Sequence, residues 1–256
     1  MITLKELSFS YNHKKHVLEH VNLEVTPGHI CGLLGKNGEG KTTLLNLISG
    51  QVFPDQGECL ILGEKPSERS AKFLQQIFIL PEEISMPDVT AYEYMKMYAP
   101  FYPTFSQDIW KACLDSFEVD FSDRLLKMSQ GQRKKVAITL ALSAHTPLLL
   151  MDEPTNGLDI PSKSTFRKLV ASLIEEDQTV IISTEITLWS GHHYVSWDMP
   201  EGDPNRTFNL IPMDAFTGIT AGSTLKVVYS IEPTAEYHQM RLATGNWSYF
   251  TDPINF

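Results

Sequence analysis

Residues 35–42 place the strongest constraint on the fold of this chain. Four positions satisfy the pattern G-x-x-x-x-G-K-[ST], namely Gly35, Gly40, Lys41 and Thr42. An apolar run at residues 29–34 precedes the pattern, and an apolar-periodic run at residues 44–48 follows it. The sequence therefore predicts a strand, a glycine-rich turn and a helix, which is the local architecture of a phosphate-binding loop.

The physics of such a loop assigns roles to its residues. Glycines such as Gly38 and Gly40 let the backbone curl so that N–H groups point inward at phosphate oxygens, and the following helix adds its positive end. Lys41 is expected to reach the β- and γ-phosphates, and the Thr42 hydroxyl is expected to ligate Mg²⁺. The alternative is a glycine-rich turn without a ligand, which the presence of both strand and helix disfavours.

The composition argues against several classes of function. The net charge of −10 argues against a face that binds nucleic acid. No apolar run approaches the roughly 20 residues that span a bilayer, and no signal peptide follows Met1. The three cysteines lack metal or redox spacing and are expected to be reduced cytoplasmic thiols. We therefore expect a membrane role to go through a partner.

Apolar patterning predicts an α/β fold for the first 184 residues. Strands are predicted at residues 2–9, 17–25, 58–62, 77–80, 148–151 and 179–183. Residues 88–130 are predicted to be helical, with Thr90 and Glu93 as a capping-box pair and Ser106 as a second cap. A further amphipathic helix is predicted at residues 166–174.

Carboxylates follow two of the predicted buried strands. Asp152 and Glu153 come directly after residues 148–151, and Glu82 comes shortly after residues 77–80. Ligands often bind at the carboxyl ends of strands in α/β sheets. Asp152 is expected to hold Mg²⁺, and Glu153 is expected to orient or deprotonate an attacking water. The alternative is a set of surface carboxylates at strand ends.

Two other segments carry weaker signals. Ser129 and Gly131 precede a predicted helix and form a potential anion site, although Ser-x-Gly turns are common. Tyr11 lies just outside the strands, where its ring can either stack on a base or serve as an ordinary turn residue.

The order of these motifs resembles that of the nucleotide-binding subunit of ABC transporters, across residues 1–184. Residues 35–43 resemble Walker A, and residues 148–152 resemble Walker B. Residues 128–132 resemble the Leu-Ser-Gly-Gly-Gln signature, with Gln130 in place of a glycine, and residues 156–159 resemble the D-loop. The resemblance assigns nucleotide contacts to Tyr11, Gly35, Asn37, Gly38, Gly40, Lys41, Thr42, Thr43, Ser129, Gly131, Gln132 and Asp159. It assigns catalytic roles to Glu153 and Glu82, and metal ligation to Thr42, Asp152 and Glu82.

The resemblance also implies an architecture and a mechanism. The implied fold is a P-loop NTPase core of ABC type with an antiparallel β edge and a helical insert, followed by a short all-β segment. Two subunits, identical or different, would sandwich ATP and Mg²⁺ and drive a permease from the cytoplasmic face of the cell membrane. In the alternative function, the chain is a non-hydrolysing regulatory or carbohydrate-binding protein with a vestigial ATPase part.

Two positions depart from the family pattern. Glu82 stands where the family usually has glutamine, so its hydrogen bonding and charge differ. Glu185 stands where the family has a histidine that donates a hydrogen bond toward the γ-phosphate. An ionised carboxylate cannot donate, and losing one such donor typically costs on the order of 10²–10³ in rate. We therefore predict that ATP binding survives and that hydrolysis is strongly slowed.

The family pattern stops at the tail, residues 185–256, which is predicted to be β-rich. Strand candidates lie at residues 208–211 and 225–231 and around Met240. The tail, with Trp189, Trp197 and Trp247, resembles β-sandwich modules of bacterial polysaccharide-degrading enzymes. Three interpretations of the tail are open: it is an appended module, a foreign segment joined to a truncated ATPase, or part of the ATPase sheet. The abrupt loss of the family pattern at Glu185 favours a foreign segment. His192 or His193 could replace the missing histidine, although a turn or strand role is favoured.

Overall fold

The computed structural model describes residues 1–12, 16–120, 122–175 and 177–185, and three short strands at 224–227, 239–240 and 254–255. For Glu185 and the three short strands, only the backbone is described. The predictions for residues 208–211, for the tail tryptophans and for His192 and His193 lie outside the described residues.

A three-stranded antiparallel sheet has the order β2-β1-β4. Its strands are β1 (Ile2–Phe9), β2 (Leu18–Val25) and β4 (Gln56–Ile61). This is the predicted antiparallel edge of the fold. One face of this sheet is apolar, and residues of β1 on that face, such as Ile2 and Leu4, are buried.

A second, parallel sheet has the order β5-β6-β7-β3-β8. Its strands are β3 (Ile30–Gly35), β5 (Ile77–Leu80), β6 (Leu148–Met151), β7 (Thr179–Glu185) and β8 (Thr224–Val227). Alternate residues of β6 enter two different core clusters, since Leu148 and Leu150 belong to one and Leu149 and Met151 to the other. Both faces of the strand are therefore covered, as its continuous apolar run predicts.

The helices have the bounds α1 (Lys41–Ile48), α2 (Ala71–Gln75), α3 (Ala91–Tyr98), α4 (Gln107–Phe117), α5 (Gln130–Ser143) and α6 (Ile160–Leu173). Short 3₁₀ turns occupy Pro66–Glu68, Ala99–Phe101 and Leu125–Lys127. The insert is helical as predicted, and the Thr90–Glu93 capping box and the Ser106 cap are confirmed. The prediction that α6 starts at residue 166 was wrong, because α6 begins six residues earlier, at Ile160, directly after its cap Asp159.

Two core clusters hold these layers together. One contains α1 and joins the antiparallel sheet to the parallel sheet, with Leu45 and Ile48 fully buried. The other joins helices α3 to α6 to the parallel sheet and includes the buried Trp110 and Phe117. Because β6, β7 and β3 are neighbours in the parallel sheet, their carboxyl ends lie side by side.

Four tail residues belong to the parallel sheet. The strand β8 pairs with β3 in parallel, and Leu225 lies opposite Gly32. Two further strands, β9 (Gln239–Met240) and β10 (Ile254–Asn255), form a separate antiparallel pair in a second unit of the chain. The domain boundary at residues 184 and 185 stays a prediction.

Candidate functional site

The phosphate loop takes a backbone shape that requires glycine. Gly38 and Gly40 have φ values of 85° and 88°, in the left-handed region that residues with a Cβ rarely adopt. Gly40 is also the N-cap of α1 and supplies no side-chain hydrogen bond. The N–H groups of the first turn of α1 therefore receive no capping side chain from residue 40, and an anion can accept from N–H groups at such a helix start.

Lys41 extends its side chain back across the loop. Its side chain is 7% exposed, and Nζ donates to the backbone oxygens of Gly35 at 2.8 Å and Lys36 at 3.0 Å. Nζ also lies 3.5 Å from Oε1 of Glu153. Backbone oxygens therefore hold the ammonium in this structure. Phosphate oxygens can replace them, because charged oxygens are stronger acceptors for an ammonium group.

Thr42 and Asp152 contact each other directly. The Thr42 hydroxyl donates to Oδ2 of Asp152 at 2.6 Å, and the Asp152 residue is 3% exposed. Oδ1 of Asp152 accepts a bond of 2.5 Å from the Ser183 hydroxyl. A hydroxyl and a carboxylate oriented toward each other are hard oxygen ligands of the kind Mg²⁺ prefers, so these residues fit the metal.

Glu153 lies next to this pair in an unusual backbone conformation. Its φ is 44° although it is not a glycine, and its N–H donates to the Ser183 hydroxyl at 2.9 Å. One carboxylate oxygen faces Lys41, and the other lies 3.5 Å from Nδ2 of Asn156. Such strained positions persist where surrounding contacts fix them, often at active sites. The carboxylate is thereby aimed at the phosphate loop.

Glu82 reaches the site from the end of β5. Its Oε1 accepts a hydrogen bond of 2.9 Å from Nδ2 of Asn156, and its backbone oxygen accepts one of 2.8 Å from Nζ of Lys134. Through Asn156, Glu82 is connected to Glu153. In its described hydrogen bonds, Glu82 thus accepts from Asn156 and Lys134. Thr42 and Asp152, the other candidate metal ligands, instead bond to each other.

Tyr11 lies beside the phosphate loop. Its hydroxyl is 3.3 Å from Oγ1 of Thr43, and its ring packs edge-on against Phe9 with centroids 4.8 Å apart. The residue is nevertheless 61% exposed. A tethered but exposed aromatic ring beside this loop offers a face on which a base can stack. Asn37, the other predicted contact outside the glycines, is exposed in the loop.

The remaining predicted contacts cap helices. Ser129 and Gln132 form a capping box, in which the Ser129 hydroxyl accepts from the Gln132 N–H at 3.2 Å and Gln132 Oε1 accepts from the Ser129 N–H at 2.9 Å. Asp159 accepts from the Ser162 N–H at 2.8 Å. Hydrogen bonds from the side chain and the backbone of Ser162 lower the pKa of Asp159. Gly131 lies in the first turn of α5. These residues lie at the starts of α5 and α6, and their contact with nucleotide stays a prediction.

Two site residues escaped the sequence analysis. Ser183, near the end of β7, bonds both Asp152 and Glu153. Lys134 lies inside the run 133–135, which resembles a solvated basic patch, yet it is 6% exposed. A signal existed for Lys134, since it precedes the buried Ile138 by four residues and Ala141 by seven, and therefore shares their helix face.

No helix in the described part of the chain is long and apolar enough to cross a membrane.

Comparison with known proteins agrees with this geometry. A family model described as "ABC transporter" matches residues 18–156. The ABC transporter ATP-binding protein NatA of Bacillus subtilis is 34% identical over 197 residues, which cover 73% of this chain and 80% of NatA. The ATP-binding protein YtrB of the same organism is 31% identical, and the match covers 72% of this chain but only 63% of YtrB.

A solved structure supports the same relationship. The dimeric ATP-binding cassette MJ0796, in a post-hydrolysis state bound to ADP and Pi, superposes with a TM-score of 0.63. It is 28% identical, and the match covers 72% of this chain and 88% of MJ0796. The chain therefore belongs to the ABC transporter family and is an ATPase of the ABC type, which binds ATP together with Mg²⁺.

Proposed function

We propose that this chain is the ATP-binding subunit of an ABC transporter, which pairs with a second such subunit and drives an integral membrane permease. The observation that carries this proposal is the convergence of two loop residues on one strand end, since Lys41 contacts Glu153 and Thr42 contacts Asp152. A relative of similar fold, MJ0796, is dimeric and holds ADP and Pi. The subunit would act in the cytoplasm, on the inner face of the membrane, where it meets the permease.

The roles of the chain's own residues follow from their positions. Lys41 exchanges its backbone carbonyl partners for phosphate oxygens, and the N–H groups around Gly38 and Gly40 bind the same phosphates. Thr42 and Asp152 would hold Mg²⁺, with Glu82 as a further candidate ligand. When bound, the metal neutralises phosphate charge. Glu153 orients an attacking water and accepts its proton.

The second subunit would complete the site. The start of α5, with Ser129, Gly131 and Gln132, would face the nucleotide held by the partner, and Asp159 would lie at the junction. The capping box stabilises this helix start, which supports the role because an ordered helix end keeps its N–H dipoles aligned. Residues 1–184, with the insert at 88–130, would form the nucleotide-binding domain, and residues 185–256 the tail.

Hydrolysis by this subunit would be slow. In the parallel pairing of β7 with β3, Glu185 lies opposite Gly35, at the entrance of the phosphate loop. This register supports the proposal that residue 185 replaces the histidine expected near the γ-phosphate. A carboxylate there cannot donate a hydrogen bond when ionised, and it adds negative charge close to a triphosphate.

Steady-state hydrolysis by the purified chain tests the proposal. We expect slow, Mg²⁺-dependent release of phosphate that is lost in Glu153→Gln, which removes the proton acceptor and keeps the shape of the side chain. Nucleotide affinity should be retained in that variant, since Glu153 is not assigned to binding. Turnover that persists unchanged in Glu153→Gln would contradict the assigned role.

A further inference from the structure

One carboxylate holds the chain segment that leads into Tyr11. Asp55 directly precedes β4, and its Oδ2 accepts two hydrogen bonds from Ser10, one of 2.7 Å from the backbone N–H and one of 2.8 Å from the hydroxyl. The backbone N–H of Asp55 in turn donates to the Ser8 oxygen at 2.9 Å. Three hydrogen bonds therefore join Asp55 to the end of β1, although Asp55 and Ser10 are 45 positions apart in the chain.

The position of Ser10 gives this contact its importance. β1 ends at Phe9, so Ser10 is the first residue beyond the strand, and it is only 5% exposed. Buried N–H and hydroxyl groups need hydrogen-bond partners, and a carboxylate is a strong acceptor. Asp55 satisfies both donors of Ser10 with one oxygen. If that oxygen were removed, the two donors would turn toward water and the backbone that enters Tyr11 would move with them.

Tyr11 depends on this backbone for the direction of its ring. The hydroxyl of Tyr11 lies 3.3 Å from Oγ1 of Thr43, which is longer than most O–H···O hydrogen bonds. The ring touches Phe9 only edge-on, and the residue is 61% exposed. These two contacts leave a face of the ring open, so the orientation of that face also requires a fixed main chain at Ser10.

We propose that Asp55 is a positioning residue, which fixes the Ser10 backbone so that the Tyr11 ring stands where a nucleotide base can stack on it. This role rests on the proposed function, since a base reaches Tyr11 only when the phosphate loop holds the phosphates of the same nucleotide. Different parts of the chain then hold the two ends of the ligand. A change at Asp55 should weaken the grip on the base and spare the grip on the phosphates.

Titration calorimetry with Mg·ATP and with Mg·tripolyphosphate separates these two contributions. Stacking of a base on an aromatic ring typically contributes about 5- to 150-fold to affinity. We therefore expect Tyr11→Ala to weaken ATP binding by about tenfold or more, and Asp55→Ala by about fivefold or more. Both variants should bind tripolyphosphate within about twofold of wild type, because that ligand has no base. Asp55→Asn, whose amide oxygen can accept the same two hydrogen bonds, should retain most of the ATP affinity.

A double-mutant cycle tests whether Asp55 acts through Tyr11. In the Tyr11→Ala background, Asp55→Ala should change ATP affinity by less than about twofold, because no ring is left to position. Glu58→Ala is the matched control, since Glu58 is an exposed acid of β4 that lies opposite Lys5 of β1. It removes one negative charge from the same strand region and should leave ATP affinity within about twofold in both backgrounds.

The outcomes distinguish this role from simpler ones. Equal losses of ATP and tripolyphosphate binding in Asp55→Ala would overturn the proposal and show a general distortion of the site. Equal losses of ATP affinity with and without Tyr11 would overturn it as well, because Asp55 would then act independently of the ring. A wild type that binds tripolyphosphate as tightly as ATP would refute base stacking and leave the phosphate loop intact. A wild type that binds neither ligand would refute the proposed function, and the role of Asp55 with it.

Discussion

The Ser183 hydroxyl accepts a hydrogen bond of 2.9 Å from the backbone N–H of Glu153, and it donates its own proton to Asp152. One buried side chain near the end of β7 thus fixes the two acids that directly follow β6. The two strands are paired in parallel, with Met151 opposite Ile182, so their ends meet at the same edge of the sheet. The geometry of the site depends on this register.

Replacing Ser183 by alanine should therefore destabilise the fold and disturb the site. The change leaves the buried Glu153 N–H without its partner, which typically costs about 1–3 kcal/mol. Urea denaturation should show this loss, while kcat falls because Glu153 and Asp152 are no longer fixed. The control is Ser172→Ala, whose hydroxyl bonds the Leu169 oxygen on an exposed part of α6. A loss no larger than that of the control would contradict the assigned role.

Thr42 provides a separate test of the metal site. Its hydroxyl bonds Asp152 at 2.6 Å, while its helix position is independent of that bond. We expect Thr42→Val to reduce the Mg²⁺-dependent gain in ATP affinity by about tenfold or more, on the scale of losses at metal sites. ATP affinity in EDTA should stay within about twofold of wild type. Thr42→Ser, which keeps the hydroxyl, should retain the Mg²⁺ effect; a normal Mg²⁺ response in Thr42→Val would refute ligation by Thr42.

Glu185 is predicted to limit turnover. Its backbone lies opposite Gly35 at the phosphate loop, where a donor is expected to stabilise the transition state. Glu185→His should raise kcat by on the order of 10²-fold or more, while ATP affinity changes far less. Glu185→Gln removes the negative charge without supplying an imidazole and should give a smaller gain. No gain from the histidine variant would count against the assignment of residue 185.

The buried thiols predict a pattern of chemical reactivity. Burial raises the pKa of Cys59 to about 11 and that of Cys113 to about 12. Because the thiolate is the reactive form, roughly one Cys59 side chain in a thousand is ionised at pH 8. Site-resolved mass spectrometry should show slow alkylation of both thiols in the folded protein and fast alkylation in denaturant. Rates in the folded protein that match those of an unfolded peptide would show that these thiols are not buried.

Local interactions explain which parts of the site the sequence predicts. The phosphate loop and the caps at Thr90 and Ser106 depend on residues within a few positions of each other, so the pattern alone predicts them. The start of α6 was missed because most residues of its first turns are polar, so that the apolar periodicity begins only at Phe166.

Long-range register explains what the sequence does not predict. Ser183 meets Asp152 only because β7 pairs with β6, and Lys134 meets Glu82 only because α5 packs near the end of β5. In both cases an ordinary residue gains its role from a partner far away in the chain. The tail adds a related example, since β8 joins the sheet beside β3 although its sequence shows no family motif.

The central claim is that the phosphate loop and the end of β6 together bind Mg·ATP. Isothermal titration of wild type, Lys41→Ala and Lys36→Ala with Mg·ATP tests it most directly, because both lysines carry the same charge in the same loop and only Lys41 is buried there. We expect Lys41→Ala to abolish measurable binding and Lys36→Ala to retain it within a few fold. Binding that survives in Lys41→Ala, or that is absent from wild type, would contradict the account.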